Sequence, residues 1–270
     1  LNRTIGVLGC GWLGLPLARQ LLEAGYTVRG TTTDPKKLSL LQSEGIEAYQ
    51  VMLKQEGFEG PWKEFFRGLD VLVFNIPPGI KANPETDYPS KVRYLLRLLE
   101  AQGPTRLIYI GSTSVYGRNQ GAVDEATRPE PDSESGRQLL EAEALVLGSA
   151  NASSPLIIRF GGLIGPDRHP VTMLSGRNGL SGGGDPVNLI ERQDCINLIL
   201  QAVSDTSQDG VVNAVAPGHP TKAAYYRREA LKRGLPPPVY SDTRLNPNGK
   251  CIKSQRALVR SYHFLTIPGT

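Results

Sequence analysis

A chain of 270 residues is long for one minimal core and short for two full ones, so it accommodates one large domain or one domain with a small appendage. A hydrophobic share of 39% excludes disorder for the bulk, while 30 glycines and 21 prolines with no collagen period point to many tight turns. The net charge of +4 comes from basic residues scattered along the chain, which argues against nucleic acid as the partner.

Thr4 to Leu8 reads as a buried strand, Leu13, Leu17, Leu21 and Leu22 as one helical stripe stopping at Gly25, and Thr27 to Thr31 as the next strand. A helix opens near Asp34-Pro35 and runs to Gly45, a strand covers Ile46 to Leu53, and Pro61 opens a short helix through Phe65 and Phe66. Asp70 to Ile76 is a central strand broken by Pro77-Pro78-Gly79. Val92, Leu95, Leu96 and Leu99 stripe a helix, Arg106 to Ile110 forms the fifth strand, and a polar connection from Arg118 to Ser133 follows. A helix carrying Leu139, Leu140, Ala142 and Leu145 then leads to a strand from Leu156 to Phe160. This alternation predicts an α/β fold, with a Rossmann-type doubly wound parallel sheet over residues 1–165.

From residue 166 to 270 the rhythm breaks into a Gly-rich loop (Ser175 to Pro186), a short strand (Val187 to Ile190) and a helix after Asp194. A strand (Val211 to Val215) and a helix (Thr221 to Lys232) complete what reads as a smaller irregular α+β substrate lobe, interleaved with the first part. Arg227, Arg228, Lys232 and Arg233 fall at helical spacing and read as a solvated helix face. Cys10, Cys195 and Cys251 are far apart and lack paired spacing, so neither a disulfide framework nor a metal site is predicted, and a reducing cytoplasm fits. The opening residues lack a basic stretch and cleavage site, and no apolar run approaches the ~20 residues of a membrane span, so a soluble, unexported protein is expected.

Gly9-Cys10-Gly11-Trp12-Leu13-Gly14 is a GxGxxG motif between a predicted strand and a predicted helix, the context in which it carries weight. The first glycine permits the tight turn, the second lets the backbone approach a pyrophosphate, and the third lets helix and strand pack closely. The free N–H groups of the helix start then face the phosphates. At the end of the second strand, the hydroxyls of Thr31, Thr32 and Thr33 and the following Lys36 and Lys37 favour a 2′-phosphate, hence NADP. Asp34 stands about 20 residues after Gly14, the spacing of an acid that accepts a ribose hydroxyl in NAD binders, and also reads as a helix cap. Asn75, Ile76 and Pro77 end the fourth strand at the edge where such sheets bind ligands, as do Gly111 and Ser112 at the end of the fifth.

These pieces, with Gly30-Thr31-Thr32-Thr33, Asp70 to Gly79, Ser112 to Gly117, Arg159 to Pro166 and Pro186 to Ile190, make the chain similar to a known family. It resembles the extended and atypical short-chain dehydrogenase/reductase superfamily of the NAD(P)-dependent epimerase/dehydratase type, and within it the YeeZ-like branch. The resemblance implies catalysis by a Ser/Thr, Tyr, Lys set, with Ser112 at the Ser/Thr position. The helix expected to carry Tyr and Lys has Ser135 and Leu139 instead, with Glu143 in its usual place. A serine hydroxyl without a cation or base beside it does not shuttle protons near neutral pH, so the family's ordinary chemistry is in question.

Tyr88 and Lys91 have the wrong spacing and read as coincidence, leaving Tyr116, Asp124, Glu125, Lys91 and His169 as candidates for the acid/base. His169 follows the sixth strand and, with Arg168, is a candidate for substrate contact, although a turn histidine is the simpler reading; Arg177 could also meet an anionic group. Arg159 lies in a buried strand pattern and is expected to pair internally. The expected function is an NADP-dependent oxidoreductase or epimerase/dehydratase-like enzyme acting on a hydroxyl or carbonyl carbon of a small, nucleotide-sugar-like molecule. The alternative is a catalytically silent NADP(H) sensor.

Overall fold

The computed structural model describes residues 3–80, 83–103, 105–149 and 154–269. The chain runs β1 (Thr4–Leu8), α1 (Gly14–Glu23), β2 (Thr27–Thr32), α2 (Leu38–Ser43), β3 (Glu47–Gln50), β4 (Met52–Lys54) and β5 (Gly57–Glu59). It continues through α3 (Trp62–Phe66), β6 (Val71–Phe74), α4 (Tyr88–Gln102), β7 (Arg106–Ser112), β8 (Ala122–Val123), α5 (Glu134–Leu147) and β9 (Leu156–Phe160). It ends with β10 (Gly162–Ile164), α6 (Pro170–Leu174), β11 (Leu189–Glu191), α7 (Arg192–Ser204), β12 (Gly210–Ala214), α8 (Lys222–Lys232), β13 (Cys251–Ile252) and α9 (Ala257–Arg260).

Seven strands form one parallel sheet in the order β12-β9-β7-β6-β1-β2-β3, the doubly wound arrangement expected. Its central strands carry apolar side chains on both faces: every residue of β6 and of β9 is buried, as a strand covered by helices on each side requires. By contact, residues 1–112, 134–158 and 196–211 form one compact unit, and residues 113–133, 159–195 and 212–270 a second. In the first, α1 lays Leu17, Ala18 and Leu21 on the sheet, while α4 packs against α5. Asp87 sets the start of α4 by accepting the Ser90 N–H at 2.9 Å, with Pro89 in the first turn where its missing N–H costs nothing. In the second unit, Ile164, Val171, Val187, Leu189, Tyr225 and Tyr226 gather into a core over which α6 meets α8.

One local expectation is corrected. Ile46 to Leu53 is not one strand: the chain leaves the sheet after Gln50, and Met52–Lys54 pairs antiparallel with Gly57–Glu59. Its Gln55-Glu56 link carries none of the Asn-Gly or Asp-Gly chemistry that marks a hairpin. The pair β8·β13 is two residues long, too short for any periodicity to reveal. Among the described residues no helix is long and apolar enough to cross a membrane.

Two arginines at strand starts close α7. Arg106, 6% exposed, donates to the carbonyls of Ala202 and Gln208, and Arg3 donates to that of Val203 at 2.9 Å. The last carbonyls of a helix lack partners within it and carry its negative dipole end, so guanidinium groups there satisfy both needs. Arg106→Met is expected to cost about 2–4 kcal/mol, since charged hydrogen bonds are worth about 1.5–3 kcal/mol each. Chemical denaturation checks this, and an unchanged midpoint would remove Arg106 from the account.

Candidate functional site

Strand order reverses between β1 and β6, leaving a crevice beyond their carboxyl ends of the kind in which open α/β sheets bind ligands. Gly9 leaves β1 there and Asn75 leaves β6. Gly9 has φ +109°, a conformation that side chains disfavour. Its N–H donates to Thr31 Oγ1 at 2.9 Å, and the Cys10 N–H donates to the Thr31 carbonyl at 2.8 Å. Its carbonyl accepts from Asn75 Nδ2 at 3.0 Å, while the Asn75 N–H donates to the Leu8 carbonyl at 3.0 Å. The turn is thus fastened to both neighbouring strands.

The three motif glycines answer to different constraints. A Cβ at Gly14 would stand 2.1 Å from the Gly9 carbonyl oxygen, so the chain's own packing demands glycine there. A Cβ at Gly11 would meet nothing within 4 Å. Space is therefore left open above Gly11, which suits a diphosphate lying close to the backbone. Leu13, buried, and Trp12, half-buried, lead into α1, where no side chain caps the first turn and no acidic residue enters it. The positive end of the helix dipole is left to an anion. Beside the turn, burial pushes the Cys10 thiol pKa up to about 12, which makes it a packing group rather than a nucleophile.

At the end of β2 the expected row of three hydroxyls is reduced to one. Thr31 is buried and committed to Gly9, and Thr32 is buried with its Oγ1 accepting the Asp34 N–H at 3.1 Å. Thr33, Lys36 and Lys37 are exposed. The Asp34 carboxylate accepts the Lys36 N–H at 3.0 Å, so the capping role read from the sequence is the one it takes.

Beyond β6, Ile76 is half-buried, Pro77 is exposed, and the Ile76 carbonyl accepts the Tyr88 hydroxyl at 2.9 Å. The Tyr88 N–H in turn donates to Gln138 Oε1 of α5 at 3.0 Å, and the Tyr109 hydroxyl lies 3.2 Å from that of Tyr88. Sequence reasoning weighed Tyr88 only against Lys91 and so missed this support, which depends on residues distant in the chain. At the neighbouring edge, β7 ends in buried Gly111 and half-buried Ser112. A Cβ at Gly111 would stand 3.0 Å from Oε1 of Glu143, a carboxylate only 1% exposed. On α5, Ser135 is half-buried and Leu139 is core, so neither a phenol nor an ammonium stands at those positions.

The second unit holds the loop that follows Ser112. Tyr116 is fully buried, its hydroxyl donating to the Asp124 carbonyl at 2.8 Å and accepting from Arg159 Nη1 at 2.7 Å. Burial raises its pKa against the opposing pull of Arg159, so this phenol is a strut and not a proton carrier. Arg159 is paired internally, as expected. Asp124 turns its carboxylate onto Thr127 and the Ala126 N–H, and Glu125 accepts from the Asn213 and Gln255 N–H groups. Both are tied to backbone. Lys91 stays half-buried on α4. Lys250, unremarkable in the sequence, places Nζ 2.9 Å from the carbonyls of both Thr113 and Tyr116, and burial pushes its pKa down.

His169, 7% exposed, caps α6: Nδ1 accepts the Val171 N–H at 3.2 Å, which leaves the proton of the neutral ring on Nε2, 3.1 Å from the Tyr225 hydroxyl. Arg168 is exposed and closes a turn with Gly165 through paired backbone bonds of 2.8 and 3.2 Å.

The sequence pattern of the NAD dependent epimerase/dehydratase family matches residues 5–177. Protein YeeZ of Escherichia coli K12 is 31% identical over 255 residues, covering 94% of this chain and 92% of that protein. The UDP-N-acetylglucosamine 4-epimerase of Bacillus cereus superposes with a TM-score of 0.77 at 14% identity, covering 98% of this chain and 95% of the other. MoeE5, solved with UDP-glucose and NAD, superposes with a TM-score of 0.73 at 18% identity, covering 96% and 91%.

Burial and the Arg233 cation lower the His169 pKa, with Glu229 opposing them. The folded state therefore binds fewer protons than the unfolded chain. The contribution of His169 is complete above the unfolded value of about 6.5 and is lost as pH falls through it toward the folded value. His169→Asn keeps a cap acceptor that does not titrate. Between pH 7.5 and 5 the wild type is expected to lose stability relative to this variant in urea titrations; parallel curves would sink the cap reading.

Proposed function

The chain belongs to the NAD dependent epimerase/dehydratase family, and on that premise we propose that it is an NADP-dependent oxidoreductase or epimerase/dehydratase-like enzyme. Its substrate is a small, nucleotide-sugar-like molecule bearing a hydroxyl or carbonyl carbon. The observation that carries this reading is the open space above Gly11 inside a turn whose other two glycines are demanded by the chain itself. Gly11 and the first turn of α1 take the diphosphate, Thr33, Lys36 and Lys37 take the 2′-phosphate, and Asn75 with Tyr88 holds the floor in place. The nicotinamide, when bound, supplies the acceptor or donor of hydride.

The rest falls to the protein. Ser112 orients the substrate oxygen by hydrogen bonding, and the Lys250 ammonium fixes the loop beginning at Thr113, one residue on. Nucleotide sugars come into the proposal from the relatives, among which are a UDP-N-acetylglucosamine epimerase and a protein solved with UDP-glucose. Three free thiols favour a reducing, cytoplasmic setting. A second reading, a catalytically silent NADP(H) sensor, is supported by the core position of Leu139 where the family's lysine would stand.

Gly11→Ala is expected to weaken dinucleotide binding at least tenfold while leaving the melting temperature of the free protein within about 2 °C of wild type. Gly14→Ala is expected to melt far lower. In the wild type, NADP(H) should raise the melting temperature more than NAD(H) at equal concentration, and the reverse order would replace the phosphate assignment. Stereospecifically deuterated NADPH incubated with a carbonyl library separates enzyme from sensor. Label transfer that Ser112→Ala lowers about 100-fold supports the enzyme; its complete absence supports the sensor.

A further inference from the structure

The second unit contains a cavity of about 450 Å³ that includes none of the residues assigned above to the dinucleotide or to Ser112. Its size falls in the usual range for small-molecule sites. It is lined by Arg228, Lys232 and Arg233 of α8, part of the sequence's densest positive region, which is solvated as expected and borders the cavity as well. Glu229 is buried in its middle, accepting from Arg233 Nη1, with Arg228 Nε at 3.7 Å and Lys232 Nζ at 3.8 Å from its Oε1. Three cations thus converge on one carboxylate. The other acidic residue on the wall, Glu191, has Oε2 engaged by the Gln193 N–H, and His169 is turned onto Val171 and Tyr225, so positive charge remains in excess.

The Arg228 Nε is buried with no hydrogen-bond partner, and the guanidinium carbon lies 5.7 Å from the centre of the Tyr225 ring. With its Nε turned toward Glu229 and the rest of its side chain partly exposed, Arg228 has its terminal guanidinium nitrogens to offer an acceptor entering the cavity. Ile164, Leu265 and Ile267 give the cavity an apolar part of its lining. We propose that this cavity binds a small organic oxyanion, a phosphate or carboxylate on a short apolar body, whose charged head lies on Arg228, Lys232 and Arg233 and whose body rests on Ile164 and Leu265. Planar guanidinium groups offer paired donors to such a head, and the ring beneath Arg228 keeps its fork in place.

Calorimetric titration of the full chain, free of dinucleotide, with phenyl phosphate, benzoate and inorganic phosphate tests the site. Saturable binding of phenyl phosphate or benzoate is expected, at least tenfold weaker in Arg228→Met and unchanged in Arg227→Met, an exposed arginine of the same helix outside the cavity. Preference between the two probes assigns the head group. No saturable heat from any probe, inorganic phosphate alone binding, or equal weakening by the two variants would overturn the proposal. Should Arg228→Met not fold, amide shift mapping of the wild type with phenyl phosphate decides. Changes confined to residues 164–166, 225–233 and 265–268 support the site, and changes elsewhere or none refute it. The outcome does not depend on whether the Gly9–Gly14 turn binds a dinucleotide.

Discussion

The carbonyl oxygen of Gly9 is the atom around which the first unit is arranged. It accepts from Asn75 and stands so close to Gly14 that no side chain fits between them. Because the same residue takes Thr31 on its N–H, β1, β2 and β6 are held to one turn at the point where the sheet changes direction. Hydrogen bonds of this kind contribute little each, about 1 kcal/mol, but a turn fixed from two sides has no cheap alternative shape. What is left unfilled, the volume over Gly11 and the uncapped start of α1, is therefore a stable property of the fold. Rigidity at the edges and vacancy at the centre are what the proposed diphosphate site relies on.

Around the end of β7 most polar side chains are already engaged within the protein. α5 presents Ser135 and Leu139, and its buried carboxylate, Glu143, faces Gly111. The aromatic hydroxyls of Tyr88 and Tyr109 are pushed to high pKa by burial, and that of Tyr116 is raised as well. All three are occupied as struts. The proposed role of Ser112, orienting rather than moving a proton, accords with these commitments.

The extent to which this was legible in the amino acids follows from the range of the interactions. Runs such as Val71–Phe74 and the stripe Leu17, Leu21 are dictated by burial on a repeating lattice, so the sheet, its helices and the glycine turn emerged from local pattern. The threonine row misled because a hydroxyl at a strand end can face a ligand or its own backbone, and only the fold decides. Thr31 and Thr32 chose the backbone. Tyr88 and Lys250 carry no motif, and their partners, Gln138 and the carbonyls of Thr113 and Tyr116, lie 50 to 137 residues away. The same holds for the arginines around Glu229, where helical spacing reveals a face but not what that face meets.

The partition of the chain has a bearing on biosynthesis. Each compact unit is assembled from three separated stretches, and the first is not complete until residue 211 has been made. A nascent chain stopped at Ser112 has β1, β2, β3, β6 and β7 in hand but lacks β9, so β7 is left as a raw edge with unpaired backbone groups. On the ribosome, then, this protein passes through a long interval in which a sticky sheet margin awaits its neighbour. Neither unit can be cut out as a contiguous fragment for separate expression. Insertions and fusions are better placed at the chain ends than at the crossings.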